Sequence, residues 1–282
     1  MKQIGPSFPV PLRYDSAQWL QLIGLNFNPF LALNAADDPN LGHYLIHHDA
    51  FYTAWQPKPS LVFAPTGGGK TALRVRAALN CYIGQEANNR PFPIMYSVPF
   101  SRWGHAKPSF EDHVHALICI ACAQLLISLA YRPHWFERLT LSARQSIIRL
   151  LRYGLPGMLE GFLAFLGTEN GFENLKTSLN IKLNLPEPPA ERELLALRQL
   201  LSETSAETNT ATTAMEANHD QQIFHFWQQL IHILLVELRH ESIYILIDDL
   251  DAAPETANNP CTSAEVLRPL FEHMHDWAQQ RI

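Results

Sequence analysis

Cationic side chains are in short supply in this sequence. Against 27 aspartates and glutamates stand 21 lysines and arginines, a formal net charge of −6 with the 13 histidines neutral. No overall basic excess advertises nucleic-acid binding, and only a local basic face would allow it. Cysteine is scarcer still. Cys81, Cys119, Cys122 and Cys261 are too few and too scattered for a disulfide framework, which fits a reduced, cytoplasmic setting. The opening MKQIGPSFPVPLRYDS has one lysine and no apolar h-region, so no signal peptide is expected. The longest apolar stretch, residues 116–131, falls short of the roughly 20 residues of a membrane span. It also carries Gln124 and Ser128, and it reads as a buried core helix.

What is present is globular: 47% of residues are hydrophobic and 17% charged, against the reverse balance of a disordered chain. Residues 1–56 begin proline-rich, turn amphipathic, then become polar and aromatic with breakers at Pro29, Pro39 and Gly42. They read as a segment with short helices leading into a core. Residues 60–64, SLVFA, form an apolar run bounded by breakers, and predict a buried strand. A helix is expected over 70–83, with Gly84 as its stop. A second buried strand is expected over 94–98, closed by Pro99. A helix follows over 110–131, with Glu111 and Asp112 suiting its N-terminus. This alternation predicts parallel strands joined by right-handed crossovers, and makes 57–131 the first part of an α/β core.

Residues 132–219 interrupt the rhythm and read as a mostly helical insertion. Helices are expected over 141–153, 155–166 and 190–201. Residues 179–185, LNIKLNL, alternate strictly and predict a half-exposed strand. Residues 202–218, rich in Thr, Ala and Glu, predict a flexible linker. Residues 220–282 return to the core, with a helix over 221–240, a strand over 243–247 and a final helix over 264–280.

The chemistry concentrates in two places. Ala64, Pro65, Thr66, Gly67, Gly68, Gly69, Lys70 and Thr71 match the phosphate-loop pattern, with alanine at the first position where glycine is usual. Backbone N–H groups in such a loop converge on phosphate oxygens, and side chains would block the approach. A helix beginning at Lys70 turns the positive end of its dipole to the anion. Lys70 can reach the outer phosphates, and the Thr71 hydroxyl can ligate magnesium. The second place is the strand end IYILIDDLD. Asp248 at the carboxyl end of a parallel strand faces the crevice where such sheets bind ligands, and can hold magnesium through water. Asp249 is the candidate to orient or deprotonate an attacking water, and Asp251 is a third candidate carboxylate.

APTGGGKT at 64–71 together with LIDDLD at 246–251 resembles the additional-strand P-loop ATPases, near the AAA+, origin-recognition-like and STAND or KAP-type members. Asn28, Pro29 and Phe30 resemble the segment that AAA+ proteins place against adenine. The resemblance covers residues 26–131 and 220–280. It implies a three-layer α/β P-loop NTPase fold with a parallel sheet, and ATP with Mg²⁺ as ligands. It also implies a sensor strand between the Walker A and Walker B strands, later in sequence than the latter. After Asp251 the residues read as a loop and one helix, with no sensor strand, arginine-finger motif or helical lid. The chain is therefore expected to be the N-terminal part of a longer protein, with a sheet incomplete at its C-terminus. Asp249 departs from the glutamate that most such enzymes place there.

Other constellations read as structure. Cys119 and Cys122 lie within an apolar helix and read as core thiols. His273 and His275 lie two apart and do not share a helix face. His47, His48 and Asp49 read as an exposed turn. Arg74 reads as facing solvent or a partner, and neither it nor Arg76 is assigned to phosphate; Arg102, near the carboxyl edge of the sheet, is a candidate for a phosphate or sensor role, with a surface arginine the favoured reading.

The expected function is a cytoplasmic ATPase in which Mg-ATP binding and hydrolysis drive a conformational switch. The helical insertion would serve as a surface for a protein partner or for a second copy. A nucleotide-binding scaffold without turnover and a DNA-associated, origin-recognition-like ATPase remain open as alternatives.

Overall fold

In the computed structural model of the chain, the described residues are 20–22, 24, 35–38, 41, 49–56, 58–62, 68–82, 90–100, 107–179, 181, 183, 185, 189–209, 219–248, 250, 253–256 and 259–282. Along the chain these form α1 (Asp49–Ala54), α2 (Lys70–Tyr82), β1 (Phe92–Ser97), α3 (Phe110–Tyr131), α4 (Pro133–Glu137), α5 (Leu141–Gly154), α6 (Leu159–Phe165), α7 (Gly171–Ser178), α8 (Glu191–Asn209), α9 (His219–His232), β2 (Ile243–Asp248), α10 (Pro260–Glu272) and α11 (Met274–Gln279). The architecture is mostly helical around a small parallel sheet.

β1 and β2 pair in parallel, with Phe92 opposite Ile243 and Ser97 opposite Asp248. The period of two sends alternate residues to opposite faces. Phe92, Ile94, Tyr96, Ile243, Ile245 and Ile247 join the larger core with α3, while Met95 and Leu246 pack toward α2. Helices thus cover both faces of the pair. β1 begins two residues before the expected strand and includes Pro93. Proline is tolerated there because Phe92 donates to the Ser242 carbonyl, which turns Pro93 away from β2, where no ladder donor is needed. On the same outer edge the Met95 N–H is satisfied by the side chain of Gln124, at 3.2 Å.

α3 follows its expected bounds. Ser109 and Asp112 form a reciprocal capping box, with Oγ accepting from the Asp112 N–H at 3.2 Å and Oδ2 accepting from the Ser109 N–H at 2.8 Å. Such a cap stabilises the helix by about 1 kcal/mol. At 22 residues α3 is long and apolar enough to cross a membrane, yet 78% of its apolar window is buried inside the protein. Its polar members have partners within the fold. Ser128 donates to the Gln124 carbonyl at 2.8 Å. Cys122 is buried, and Cys119 is half-buried. α5 approaches α3 closely because Gly154 lies against Cys122, where a Cβ would come within 2.4 Å of Sγ.

Several expectations are corrected here. Residues 60–62 carry no strand, and Leu61 and Val62 are exposed; Phe63 and Ala64 lie outside the described residues. An apolar run becomes a strand only where a neighbour supplies its ladder, and no described strand lies beside it. Residues 181, 183 and 185 also carry no strand, although Leu183 is buried with Ile181 and Leu185 beside it against α2. The alternation records burial, not a ladder. Just before it, α7 occupies the chain to Ser178.

The expected linker is helix as far as Asn209, and residues 210–218 lie outside the described set. Thr204 and Thr208 are buried, and each donates its hydroxyl to the carbonyl one turn back. Small polar residues therefore pack inward without an unsatisfied group. Ser205 is anchored by Arg152, whose Nη2 lies 2.6 Å from its hydroxyl. The helix expected over 155–166 shortens to α6, and α4 was not anticipated. The final helix starts earlier, at Pro260 after the Asn259 cap, and breaks at His273 into α10 and α11. α4 to α8 share one apolar core with α3 and α9.

Candidate functional site

α2 runs antiparallel to the strands. Its last turn lies at their amino end, where Arg90 donates to the Asn80 carbonyl, and Arg90 in turn accepts from the Glu241 N–H just before β2. Its first turn therefore lies toward their carboxyl end. The stripe Ala72, Val75, Ala78, Leu79 and Tyr82 is buried at helical spacing and sets the rotation of the helix. Thr71 and Arg74 flank this stripe one turn apart.

Gly69 precedes the helix with φ +82, a left-handed conformation, and its carbonyl accepts the first helical bond from the Leu73 N–H at 2.9 Å. A Cβ at Gly69 would meet nothing within 4 Å. Glycine is needed there for its backbone angle rather than for space. The N–H groups of the first turn of a helix have no acceptor within the helix, so they point outward beyond Gly69. Gly68 is exposed, and Lys70 and Thr71 are half-buried. Ala64, Pro65, Thr66 and Gly67 lie outside the described residues, as do Asn28, Pro29 and Phe30.

Asp248 is the last residue of β2 and shares the α2 face with Leu246. Its Oδ2 lies 3.5 Å from Arg74 Nε, and both side chains are 11% exposed. The contact is an ion pair without hydrogen-bond geometry. Asp248 Oδ2 is buried and accepts no hydrogen bond among the described residues. Arg74 is a correction: it faces the sheet, not solvent. The available signal was its place between Thr71 and Ala78 on one helical face. Asp249, Asp251 and Arg102 lie outside the described residues.

The fold also ties the approach to the loop onto β2. Tyr244, on the same face as Asp248, donates its hydroxyl to the Trp55 carbonyl at 2.9 Å, and the two rings meet edge to face. On the opposite face a buried relay joins three elements. The Tyr96 hydroxyl lies 2.5 Å from His113 Nδ1, and His113 Nε2 lies 2.8 Å from the Val266 carbonyl. The carbonyl can only accept, so Nε2 carries the proton and Nδ1 accepts from Tyr96. Burial lowers the His113 pKa below the ordinary histidine value. This relay fixes the end of β1 against α3 and α10, directly beside the strand that carries Asp248. Nothing in the sequence reading had singled it out.

His273 stacks on Phe110 with ring centres 3.7 Å apart, and His275 is exposed. His47 and His48 lie outside the described residues, and Asp49 is exposed at the start of α1. No group of three or more His, Cys, Asp or Glu that could hold a metal occurs among the described residues. A magnesium site needs no such group, since Mg²⁺ is held by one or two carboxylates, substrate phosphates and water. A buried carboxylate oxygen without a donor, beside a helix that begins with Lys70 and Thr71, fits that ion.

No family model, no curated protein and no solved structure matches the chain.

Proposed function

We propose that this chain is a P-loop ATPase of the additional-strand class, built on a three-layer α/β core and acting in the cytoplasm as a nucleotide-driven switch. One observation carries the reading. The ion pair of Arg74 with Asp248 sets the acidic end of β2 against the helix that opens with Lys70 and Thr71. The two motifs lie far apart in sequence, and apolar packing of α2 on the sheet together with this ion pair brings them to one end of β2.

In this reading the N–H groups of the loop and of the first turn of α2 bind the phosphates, aided by the helix dipole. Lys70 places a point charge on the outer phosphates. Thr71 and Asp248 would hold Mg²⁺. Asp249 orients the attacking water and takes its proton. The bound metal would neutralise phosphate charge as it develops in the transition state.

Binding of mant-ATP to the purified chain, with and without magnesium, tests the proposal. Binding that is lost in Lys70→Ala, with phosphate release that stops in Asp249→Asn while binding persists, is the expected result. Binding without phosphate release in the wild-type chain would favour the scaffold alternative. Absence of binding at millimolar nucleotide would overturn the reading.

A further inference from the structure

We propose that Arg74 is a positioning residue that holds Asp248 in the nucleotide-free chain and yields the carboxylate when a divalent cation arrives, so that this ion pair sets the magnesium affinity of the site. The inference rests on the nucleotide-binding reading above.

The argument is electrostatic. Arg74 Nε stands 3.5 Å from Asp248 Oδ2, with both side chains nine-tenths removed from water. Charges in such a place are weakly screened by salt. A carboxylate stripped of water at a strand end requires a compensating cation. Arg74 supplies it and holds the Asp248 carboxylate toward α2. The same oxygen cannot serve a guanidinium and a hydrated magnesium equally, because the two cations would repel at a few ångströms. Metal binding must therefore loosen the pair.

The loose geometry of the pair suits this exchange. Asp248 Oδ2 receives no hydrogen bond among the described residues, so the partner is charge without a directional bond. A bidentate arginine fork would be far harder to displace. The position of Arg74 also matters. It lies one turn past Thr71 on the same side of α2, so a cation held between Thr71 and Asp248 would meet the guanidinium directly.

The test is a magnesium titration of mant-ATP binding by the full chain, for wild type, Arg74→Gln, Arg74→Lys, Asp248→Asn and the double variant Arg74→Gln/Asp248→Asn. Arg74→Gln should lower the half-saturating magnesium concentration roughly fivefold, the size expected for loss of one partly buried ion pair. Arg74→Lys, which keeps the charge, should stay within about twofold of wild type on the same reasoning. Binding in EDTA should be alike in all variants. In the Asp248→Asn background the Arg74→Gln change should have no effect, because the cycle isolates the pairwise interaction. Arg74→Met keeps the aliphatic stem, and carries the same expectation should the glutamine variant lose its cooperative melt. A midpoint that stays or rises in a folded Arg74 variant would overturn the proposal. So would a shift that persists without Asp248. Wild-type chain that binds no mant-ATP at any magnesium concentration would overturn the nucleotide reading itself.

Discussion

Acidification should weaken this fold through His240, and the size of the effect follows from where the ring sits. His240 is buried at the turn before β2. Its Nδ1 lies 3.2 Å from the Arg90 carbonyl, which can only accept, so Nδ1 carries the proton. Its Nε2 is buried with no hydrogen-bond partner among the described residues. The ring meets Phe92 and Trp135 edge to face, at 5.3 and 5.7 Å. Burial, aided by the charge of Arg132 and opposed by the Arg90 carbonyl, lowers its pKa to about 4 from the ordinary 6.5. The unfolded chain therefore takes up a proton near pH 6.5, and the folded chain does not until about pH 4. The contribution of His240 to stability is complete above pH 6.5 and is lost as pH falls toward 4. At about 1.4 kcal/mol per pH unit, the whole loss is roughly 3 kcal/mol. That is a large share of the roughly 5–15 kcal/mol by which domains are stable. Urea unfolding of wild type and His240→Phe, at steps from pH 7.5 to 4.5, measures it. The variant should lose the His240 part of the slope between pH 6.5 and 4.5, leaving a remnant of the same sign from His113 and His134, whose burial also lowers their pKa. Equal slopes in the two proteins would refute the assignment of a neutral, buried His240.

Other outcomes are expected from single contacts. Gly154→Ala should cost about 1–3 kcal/mol by overpacking, because its Cβ would fall 2.4 Å from Cys122 Sγ, and Cys122→Ala should recover part of this in thermal melts. Gln124→Leu should cost about 1–3 kcal/mol, since the Met95 N–H loses its acceptor at the edge of β1. In hydrogen exchange the Met95 amide should then lose protection. Gly69→Ala should destabilise by about 1 kcal/mol through its left-handed backbone alone, and should weaken mant-ATP binding as the turn distorts. On the nucleotide-binding proposal, Lys70→Ala should weaken mant-ATP binding at least about tenfold, because it would remove a charge-assisted contact to phosphate.

Local chemistry was legible wherever a few neighbouring residues decide it. The capping pair Ser109 and Asp112 and the apolar run behind them define α3 without any other part of the chain. The loop pattern explains glycine at position 69 by the room it leaves a ligand, whereas the structure shows it needed for its left-handed backbone angle, with open space around it. The run IYILI was identified as a strand because β-branched and aromatic residues between breakers leave little else. What sequence periodicity could not distinguish was burial from hydrogen bonding. Residues 181, 183 and 185 lie in an alternating run and Leu183 is buried, yet these described positions carry no strand. Residues 202–209 look like linker by composition, yet continue α8, because Thr204 and Thr208 turn their hydroxyls onto their own helix.

The sequence by itself determined the start and extent of α3 and the strand expected over 243–247. Those features depend on contacts within one or two turns of the chain. The tertiary structure alone decided that β2 lies beside β1, that Arg74 turns inward, and that its charge meets Asp248. Each of these is a contact between residues distant along the chain, and an ion pair or a strand ladder leaves no periodic mark on either of the segments that make it.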